Sequence, residues 1–254
     1  MLCPVEGWGK QKNMSYLRVM SIAGIFPIDK WNFSTSAILN VLTEKEYDFL
    51  ISRQIGQKYV KGEVVFREGV VPSGIYLIVK GKVKKYKVDH SGREQIIYVA
   101  SQGEFIGYHA VLAEERYPDS AATIEDSVLS FIPKEDFLQV LTSSPLFSSR
   151  MLKALSHEFT VLANNISVFS QRSAIERLSI SLIFLREKYK NDLNAEGEIL
   201  INISRTDLAN LAGLAKENVI RLLKELKEEG ILHTDGRKIW ISNLEKLIVR
   251  SNYR

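Results

Sequence analysis

The hydrophobic pattern of the chain changes at Pro145, and this change restricts the fold more than any other feature. Before it, short runs rich in β-branched and aromatic residues alternate with glycines, as in GIYLIVKGKVKKYKV at 74–88. Such runs predict antiparallel strands joined by tight turns. After it, apolar residues recur at spacings of three and four, which predict helices. We therefore expect an α+β chain in which a β domain precedes a helical part.

The predicted β domain has the turn signals of a small barrel built from hairpins. These signals lie near Gly62, Gly74, Gly81, Gly92 and Gly103. The strand at 82–88 carries the lysines Lys82, Lys84, Lys85 and Lys87. Because polar and apolar residues largely alternate there, we predict that these lysines lie on solvated strand faces. A short helical segment over residues 35–56 leads into the strands.

Length and composition favour a two-domain globular protein, since 254 residues with 45% hydrophobic and 25% charged residues are ordinary for that class. The net charge of +4 is compatible with nucleic acid and equally with many enzymes. The single cysteine, Cys3, cannot form an internal disulfide or hold an iron–sulfur cluster, which favours a cytoplasmic location. The four histidines do not fall at ligand spacing, so we predict no metal site.

The N-terminal region contains one apolar stretch, at 19–28, which faintly resembles a signal peptide. It is interrupted by Ser21, Gly24 and Pro27, lacks an evident cleavage site, and is too short to span a bilayer. We interpret residues 1–34 as an N-terminal extension, with a targeting segment as the weaker alternative and Met14 as an alternative natural start. No membrane partner is expected.

A helix-turn-helix pattern occupies ISRTDLANLAGLAKENVIRLLKEL at 203–226. Ser204 and Asp207 match a capping box that opens a helix ending at Ala212. Gly213 suits the turn, because a tight turn between two helices often needs a residue with positive φ. The second helix begins at Ala215 or Lys216 and ends at Glu229. Its predicted buried stripe consists of Val219, Leu222, Leu223 and Leu226.

The opposite face of this second helix carries Lys216, Glu217, Arg221 and Lys224. Arginine and lysine donate to guanine O6 and N7, and glutamate accepts from the cytosine amino group. The pattern therefore predicts a helix that reads base edges in the major groove. Ordinary ion pairs of Glu217, Arg221 and Lys224 on a solvated face are the alternative.

A β-hairpin is predicted directly after this helix, with Asp235 and Gly236 as its turn. It would form a wing whose tip is followed by Arg237 and Lys238, where side chains can contact phosphate; simple surface charge explains Lys238 equally well. The N-terminus of the first helix is a second phosphate contact. The full set of predicted phosphate contacts is Ser204, Arg205, Lys224, Arg237 and Lys238.

The helix after Pro145 has apolar residues at spacings of 3, 4, 3, 4 and 3, which is a heptad seam. The seam consists of Leu152, Leu155, Phe159, Leu162, Ile166 and Phe169. We favour a parallel homodimer, because a two-fold DNA reader needs one. A seam this short could instead lie against its own β domain.

A capping box at Ser173 and Glu176 then opens the last domain. The predicted boundaries are therefore a β domain at 35–144, a dimerisation helix at 145–170 and a winged domain at 171–254.

The order of these parts resembles the cyclic-AMP receptor protein and FNR superfamily of bacterial transcription regulators, over about residues 45–245. The most specific matches are KGEVVFREG at 61–69, the strand pair around Gly81, QGEFIG at 102–107 and the helix-turn-helix. The resemblance implies a double-stranded β-helix, or jelly roll, of the cyclic-nucleotide-binding type, a long dimerisation helix and a winged helix-turn-helix. It also implies a palindromic double-stranded DNA operator and RNA polymerase as a further partner.

The resemblance assigns base readout to a basic residue, the glutamate after it and an arginine four positions further on, here Lys216, Glu217 and Arg221. Ile220 stands where the family usually has glycine or serine. We expect Ile220 either to contact a thymine methyl or to crowd the groove, and so to change the operator sequence.

The effector pocket departs from the family pattern. A cyclic-nucleotide cassette has a glutamate for the ribose and an arginine for the cyclic phosphate, and here Tyr108 and Asp119 occupy those positions. Arg116 is the nearest substitute, although we favour it as a loop surface residue. The candidate pocket residues are Gly107, Tyr108, His109, Arg116, Asp119, Ser120 and Ala121. We expect no cyclic AMP binding of the usual kind, no other cofactor, and an effector of unidentified chemistry if there is one.

The sequence predicts a regulator and not an enzyme. It contains no nucleophile elbow, Walker loop or dinucleotide-binding glycine fingerprint, and His233 is the only titrating base near neutral pH after residue 171. An enzyme under the control of the β domain is therefore a weak alternative. A ligand sensor whose winged domain contacts proteins is the stronger one.

Overall fold

Two four-stranded antiparallel sheets form the β domain in a computed structural model that describes residues 22, 25–52, 56–194 and 197–253. Cys3 and Met14 lie outside the described residues. The strands are β1 (Gly56–Tyr59), β2 (Val64–Phe66), β3 (Gly74–Lys80), β4 (Lys82–Val88), β5 (Glu94–Ser101), β6 (Phe105–Ile106), β7 (Ser120–Thr123) and β8 (Ser127–Pro133). One sheet has the order β1-β8-β3-β6 and the other β2-β7-β4-β5, which is the predicted jelly roll.

The lysines of β4 only partly follow the prediction, since Lys87 is exposed and others are not. The interpretation that they lie on solvated faces is wrong for Lys82 and Lys85, which are only 4% and 7% exposed. The pairing of β4 with β5 shifts register between Lys85 and Tyr86, so these two neighbours are both buried. A buried ammonium group needs a carboxylate partner. The Lys82 ammonium lies 3.1 Å from a carboxylate oxygen of Glu125, and the Lys85 ammonium lies 3.3 Å from one of Asp119.

Helices lie before, within and after the β domain; the helical lead-in and the helices after Pro145 were predicted, whereas the two helices between residues 108 and 143 were not. A 3-10 turn (Ile28–Lys30), α1 (Ser36–Leu39), α2 (Glu44–Tyr47) and a π turn (Asp48–Ser52) precede β1; α3 (Tyr108–Ala113) follows β6; α4 (Lys134–Ser143), α5 (Pro145–Gln171) and α6 (Ala174–Lys188) follow β8. Proline suits the first position of α5, where its missing N–H has no intrahelical partner to lose. The capping box of Ser173 and Glu176 is present at the start of α6.

One side of α5 is unpaired. Leu152, Phe159 and Ile166 are 64%, 74% and 71% exposed, whereas Met151 and Val161 on the other side are buried in the core. The alternative in which the seam lies against its own β domain is therefore wrong for these three residues. Of the other seam residues, Leu155 and Leu162 are partly buried within the same chain, whereas Phe169 is 40% exposed.

The segment before α1 belongs to the core, which the sequence did not indicate. Trp31 and Phe33 are 3% and 5% exposed. Phe33 stacks on Tyr98 of β5 at 4.0 Å between ring centroids, and Trp31 meets Tyr253 edge-on at 4.7 Å. This segment therefore fills space between the β domain and the C-terminal end of the chain.

The C-terminal part contains α7 (Arg205–Ala212), α8 (Lys216–Glu228) and α9 (Leu244–Ser251), with a sheet of β9 (Ile201–Asn202), β10 (Leu232–Asp235) and β11 (Lys238–Ile241). The sheet order is β10-β11-β9. Hairpin β10–β11 is the predicted wing, and β9 is a third strand that the sequence analysis missed. Among the described helices, none has both the length and the apolar character that crossing a bilayer requires.

Candidate nucleic-acid interface and effector region

Helix α7 begins with a partial form of the predicted capping box. The Ser204 hydroxyl accepts a hydrogen bond from the Asp207 backbone N–H at 2.9 Å and donates one to the Asp207 carboxylate at 2.5 Å. The Asp207 carboxylate thus reaches the hydroxyl, because aspartate is shorter than the glutamate that would reach the Ser204 backbone. Gly213 ends the helix with φ +63°, as predicted for the turn.

Helix α8 buries the predicted stripe of Val219, Leu222, Leu223 and Leu226 and exposes its opposite side. The exposed side, which we call the reading face, carries Lys216, Glu217, Ile220, Arg221 and Lys224. Asn218 is also exposed, next to Glu217, and was not among the predicted base-reading residues.

Ion pairs on the reading face differ from those anticipated in the alternative interpretation. Arg221 pairs with Glu225 at 3.7 Å and Lys224 with Glu228 at 3.8 Å, whereas Glu217 has no ion pair within the described part of the chain. Exposed pairs of this kind contribute little free energy, about 0–1 kcal/mol. Arg221 can therefore exchange its carboxylate partner for another acceptor at small cost.

The wing turns one residue later than predicted. Asp235 pairs with Lys238, so Gly236 and Arg237 form the turn and the expectation of an Asp235–Gly236 turn is wrong. Gly236 has φ +53°, which an Asp in that position would adopt less readily. Arg237 consequently lies at the tip of the wing itself.

Arg205 holds the wing against α7. Its guanidinium donates to the Gly236 carbonyl at 2.8 Å and to the Arg237 carbonyl at 3.5 Å. Partial burial lowers the pKa of Arg205, although a guanidinium keeps its charge at neutral pH. The structure thus gives Arg205 a positioning contact that its sequence position did not reveal.

The candidate effector region is filled by side chains. Tyr108 is 1% exposed and its hydroxyl donates to Glu158 of α5 at 2.5 Å. Asp119 is the partner of Lys85, so its charge is neutralised within the protein. The space left beside Tyr108, Lys85 and Glu158 is a cavity of about 10 Å³, enough for one water and far below the volume of a nucleotide site.

The other candidate pocket residues have structural partners. Arg116 is exposed and donates to the Gly69 carbonyl at 2.8 Å, which keeps it on the loop surface. The Ser120 hydroxyl accepts from the Glu68 N–H at 3.0 Å, and Ala121 is buried in β7. Gly107 has φ +85°, and a Cβ there would lie 3.2 Å from the Tyr117 ring.

Comparison with known protein families identifies both parts of this architecture. Residues 56–144 match the cyclic nucleotide-binding domain family and residues 176–250 match the Crp-like helix-turn-helix domain family. The chain belongs to the CRP/FNR superfamily of transcription regulators.

Curated relatives of this CRP/FNR protein are regulators. The anaerobic regulatory protein of Pasteurella multocida is 28% identical over 208 residues, which cover 82% of this chain and 76% of the relative. The fumarate and nitrate reduction regulatory protein of Escherichia coli is 27% identical over 187 residues, 74% of each chain. These relatives confirm the prediction that the chain is a regulator and not an enzyme.

Solved structures confirm the CRP/FNR fold. A CRP/FNR-family transcriptional regulator from Thermus thermophilus has a TM-score of 0.66 at 21% identity, over 79% of this chain and all of its own. The c-di-GMP-responsive regulator CLP of Xanthomonas campestris has a TM-score of 0.65 at 24% identity, over 78% of this chain and 99% of its own.

Proposed function

We propose that this CRP/FNR protein regulates transcription by binding a palindromic DNA operator as a homodimer. The observation that carries this proposal is the reading face of α8, which is exposed beside the wing. Lys216, Glu217 and Arg221 supply donors and acceptors of the kinds that guanine and cytosine edges require. Ile220, 51% exposed, adds an apolar contact suited to a thymine methyl.

The proposed phosphate contacts lie around this face, except for Lys224, which lies on it. Arg237 and Lys238 lie at the tip and on the second strand of the wing, and Lys224 lies further along α8. The N-terminus of α7 at Ser204 presents backbone N–H groups, which favour a phosphate. These contacts fix the position of the protein on the duplex, whereas the reading face distinguishes sequences.

The homodimer is proposed from α5. Leu152, Phe159 and Ile166 lie seven residues apart and are exposed, so they form an apolar stripe along one side of the helix. A second copy packed on this stripe in parallel would bury it and relate two α8 helices by a two-fold axis. Two such helices read half-sites about one helical turn, 34–36 Å, apart.

The β domain is proposed to work without cyclic AMP. Tyr108 and Asp119 replace the two residues by which a cyclic-nucleotide cassette holds its ligand, and buried side chains fill the region. RNA polymerase is the proposed further partner and the cytoplasm the proposed location, because a transcription regulator acts on polymerase at the chromosome.

Selection from a random pool of duplex DNA at a fixed salt concentration tests the proposal. We expect enrichment of an inverted repeat with half-sites about 10 base pairs apart. Failure to enrich any sequence would contradict the proposed function, and enrichment of a lone half-site would contradict the homodimer. Calorimetric titration of the protein with cyclic AMP is expected to give no heat of binding at micromolar concentrations, and a saturable signal would contradict our assignment of Tyr108 and Asp119.

A further inference from the structure

A cluster of buried ionisable side chains occupies the region in which the family resemblance implies an effector pocket. Lys85, Asp119 and Glu158 are 7%, 7% and 3% exposed. Lys85 lies 3.3 Å from the Asp119 carboxylate and 3.6 Å from the Glu158 carboxylate. His109 completes the group, since its Nε2 lies 2.5 Å from the Glu158 carboxylate.

The cluster continues to a second buried pair. Lys188 of α6 lies 2.8 Å from Glu104 and contacts the Tyr98 hydroxyl, and all three side chains are buried. Tyr98, Glu104, Tyr108 and Glu158 line the same cavity of about 10 Å³. One polar core therefore connects the β domain to α5 through Glu158 and to the winged domain through Lys188.

The charges of this core balance only when His109 is protonated. The acids are Asp119, Glu104 and Glu158, and the lysines are Lys85 and Lys188. Without a proton on His109 the core has one negative charge more than positive charges, in surroundings where an uncompensated charge is costly. His109 is also the member of its group most open to solvent, with 27% of its side chain exposed against 4% for Glu158.

Glu158 remains ionised in this environment. Burial raises its pKa, but the hydrogen bond from His109, the charges of Lys85 and His109, and the hydrogen bond from Tyr108 together lower the pKa below its ordinary value. The carboxylate that anchors α5 to the β domain is therefore charged at neutral pH, and it faces the imidazole of His109 directly.

We propose that the proton is the effector of this β domain and that His109 is its binding site. This inference rests on the proposed function, because it assigns the regulation of the same DNA-binding dimer. When His109 is protonated, its ion pair with Glu158 keeps α5 packed against the β domain. Loss of the proton leaves excess negative charge at Glu158 and weakens this anchor. Phe159, which belongs to the apolar stripe of α5, directly follows Glu158 in the chain. A weaker contact between Glu158 and the β domain therefore changes the packing of the two α5 helices, and this change lowers operator affinity.

The ionisable groups that face His109 come from several elements, and they have to be considered together. They are Tyr108 on α3, whose ring stacks on the imidazole at 4.1 Å, Lys85 on β4, Asp119 beside β7 and Glu158 on α5, with Tyr98, Glu104 and Lys188 at the far end of the core. Lys85 lies slightly closer to Asp119 than to Glu158, and the Nε2 of His109 is the nearest cationic position to Glu158, so the change of charge at His109 acts mainly on Glu158.

Operator affinity as a function of pH tests the inference in the intact protein. With DNA obtained by selection at pH 6, we expect affinity to fall about fivefold or more as pH rises through the range in which histidine titrates, between about pH 5 and 8. His109→Gln, which keeps a hydrogen-bond donor but cannot titrate, should flatten the curve. His157→Gln is the matched control, because His157 is a partly buried histidine next to Glu158 on α5, its Nε2 is 3.4 Å from the Asn32 carbonyl, and it has no ion pair among the described residues.

A measurement on the unmodified protein covers the case in which His109→Gln does not fold. The imidazole nitrogens of His109, followed by NMR on histidine-labelled dimer, should titrate with the same midpoint as the affinity. A flat affinity curve in the unmodified protein, different midpoints, or a pH dependence that survives His109→Gln and disappears in His233→Gln would each overturn the inference. Failure to enrich DNA at any pH would instead contradict the proposed function.

Discussion

The two arginines of the helix-turn-helix, Arg205 and Arg221, have different surroundings and therefore different expected roles. The Arg205 guanidinium is committed to wing carbonyls, whereas the Arg221 side chain is 64% exposed and only loosely paired. Spacing along α8 was enough to predict that Arg221 faces outward. The hydrogen bond from Arg205 to Gly236 joins residues 31 positions apart, so no short-range sequence pattern could predict it.

Arg221→Ala is expected to remove most of the sequence preference while leaving nonspecific DNA binding nearly intact. Loss of a bidentate contact to a base costs about 1–3 kcal/mol of discrimination. Competition binding with the selected site and with a site mutated at single positions measures this. Lys227→Ala removes a charge of the same sign from the C-terminal end of the same helix, six residues beyond Arg221, and an equal loss of preference in that variant would refute the role of Arg221.

Arg205→Ala is expected to weaken binding to all sequences alike, because the wing loses its hydrogen bonds to α7 and the protein loses one of its proposed phosphate contacts. The slope of log affinity against log salt should become shallower by about one. Filter binding at several salt concentrations measures both quantities. A change confined to particular base positions would show that Arg205 reads sequence instead.

Helix α5 illustrates which properties of an element follow from sequence. Its heptad spacing predicted the stripe that the structure leaves exposed, because helical periodicity depends only on local geometry. The burial of Lys82 and Lys85 on β4 was not predictable in the same way, since it depends on a register shift and on carboxylates more than 30 residues away. The packing of Trp31 and Phe33 likewise depends on distant partners, Tyr253 and Tyr98.

Phe159→Glu is expected to convert the dimer to a monomer, because a carboxylate on the stripe would be buried without a partner. Sedimentation velocity measures the change in mass. Thr160→Glu adds the same charge to an exposed position about 100° around the same helix and should remain dimeric. If both variants behave alike, the stripe is not the interface.

Gly213→Ala is expected to destabilise the turn between α7 and α8 by about 2–3 kcal/mol. The alanine would have to adopt a positive φ, and its Cβ would lie too close to a neighbouring side chain. A Cβ at Gly213 would lie 2.9 Å from the ring of Phe169. Gly230→Ala has a similar φ of +68° but meets nothing within 4 Å, and should cost about 1 kcal/mol. Urea denaturation of the two variants separates the packing contribution from backbone strain.

On the scale of the whole molecule, the winged domain is joined to the β domain by charged contacts that span both. Lys188 pairs with Glu104 in the interior, and Lys84 of β4 pairs with Asp207 of α7 at 3.0 Å. The β domain, the long helix and the winged domain could each be predicted from sequence, since each has its own periodicity, and the family resemblance implied the jelly-roll topology. Their mutual arrangement could not, because it depends on pairs such as these, which lie 84 and 123 residues apart.

Lys188→Met is expected to lower the free energy of unfolding by about 3–5 kcal/mol, because Glu104 then remains buried without its partner. Differential scanning calorimetry should show the winged domain unfolding separately at lower temperature, where the unmodified chain shows one transition. Lys190→Met breaks an exposed pair with Glu187 and should change stability by less than about 0.5 kcal/mol. One transition retained in Lys188→Met would mean that other contacts join the domains.

In the proposed homodimer, the exposed apolar residues of α5 also determine how operator binding responds to the abundance of the protein. A single chain carries one α8 helix, and only the assembled pair matches a two-fold operator. While monomers predominate, mass action makes the amount of pair rise with the square of the total protein concentration. A twofold change in copy number would then change operator occupancy about fourfold at low occupancy, so that expression level alone gives a steep threshold.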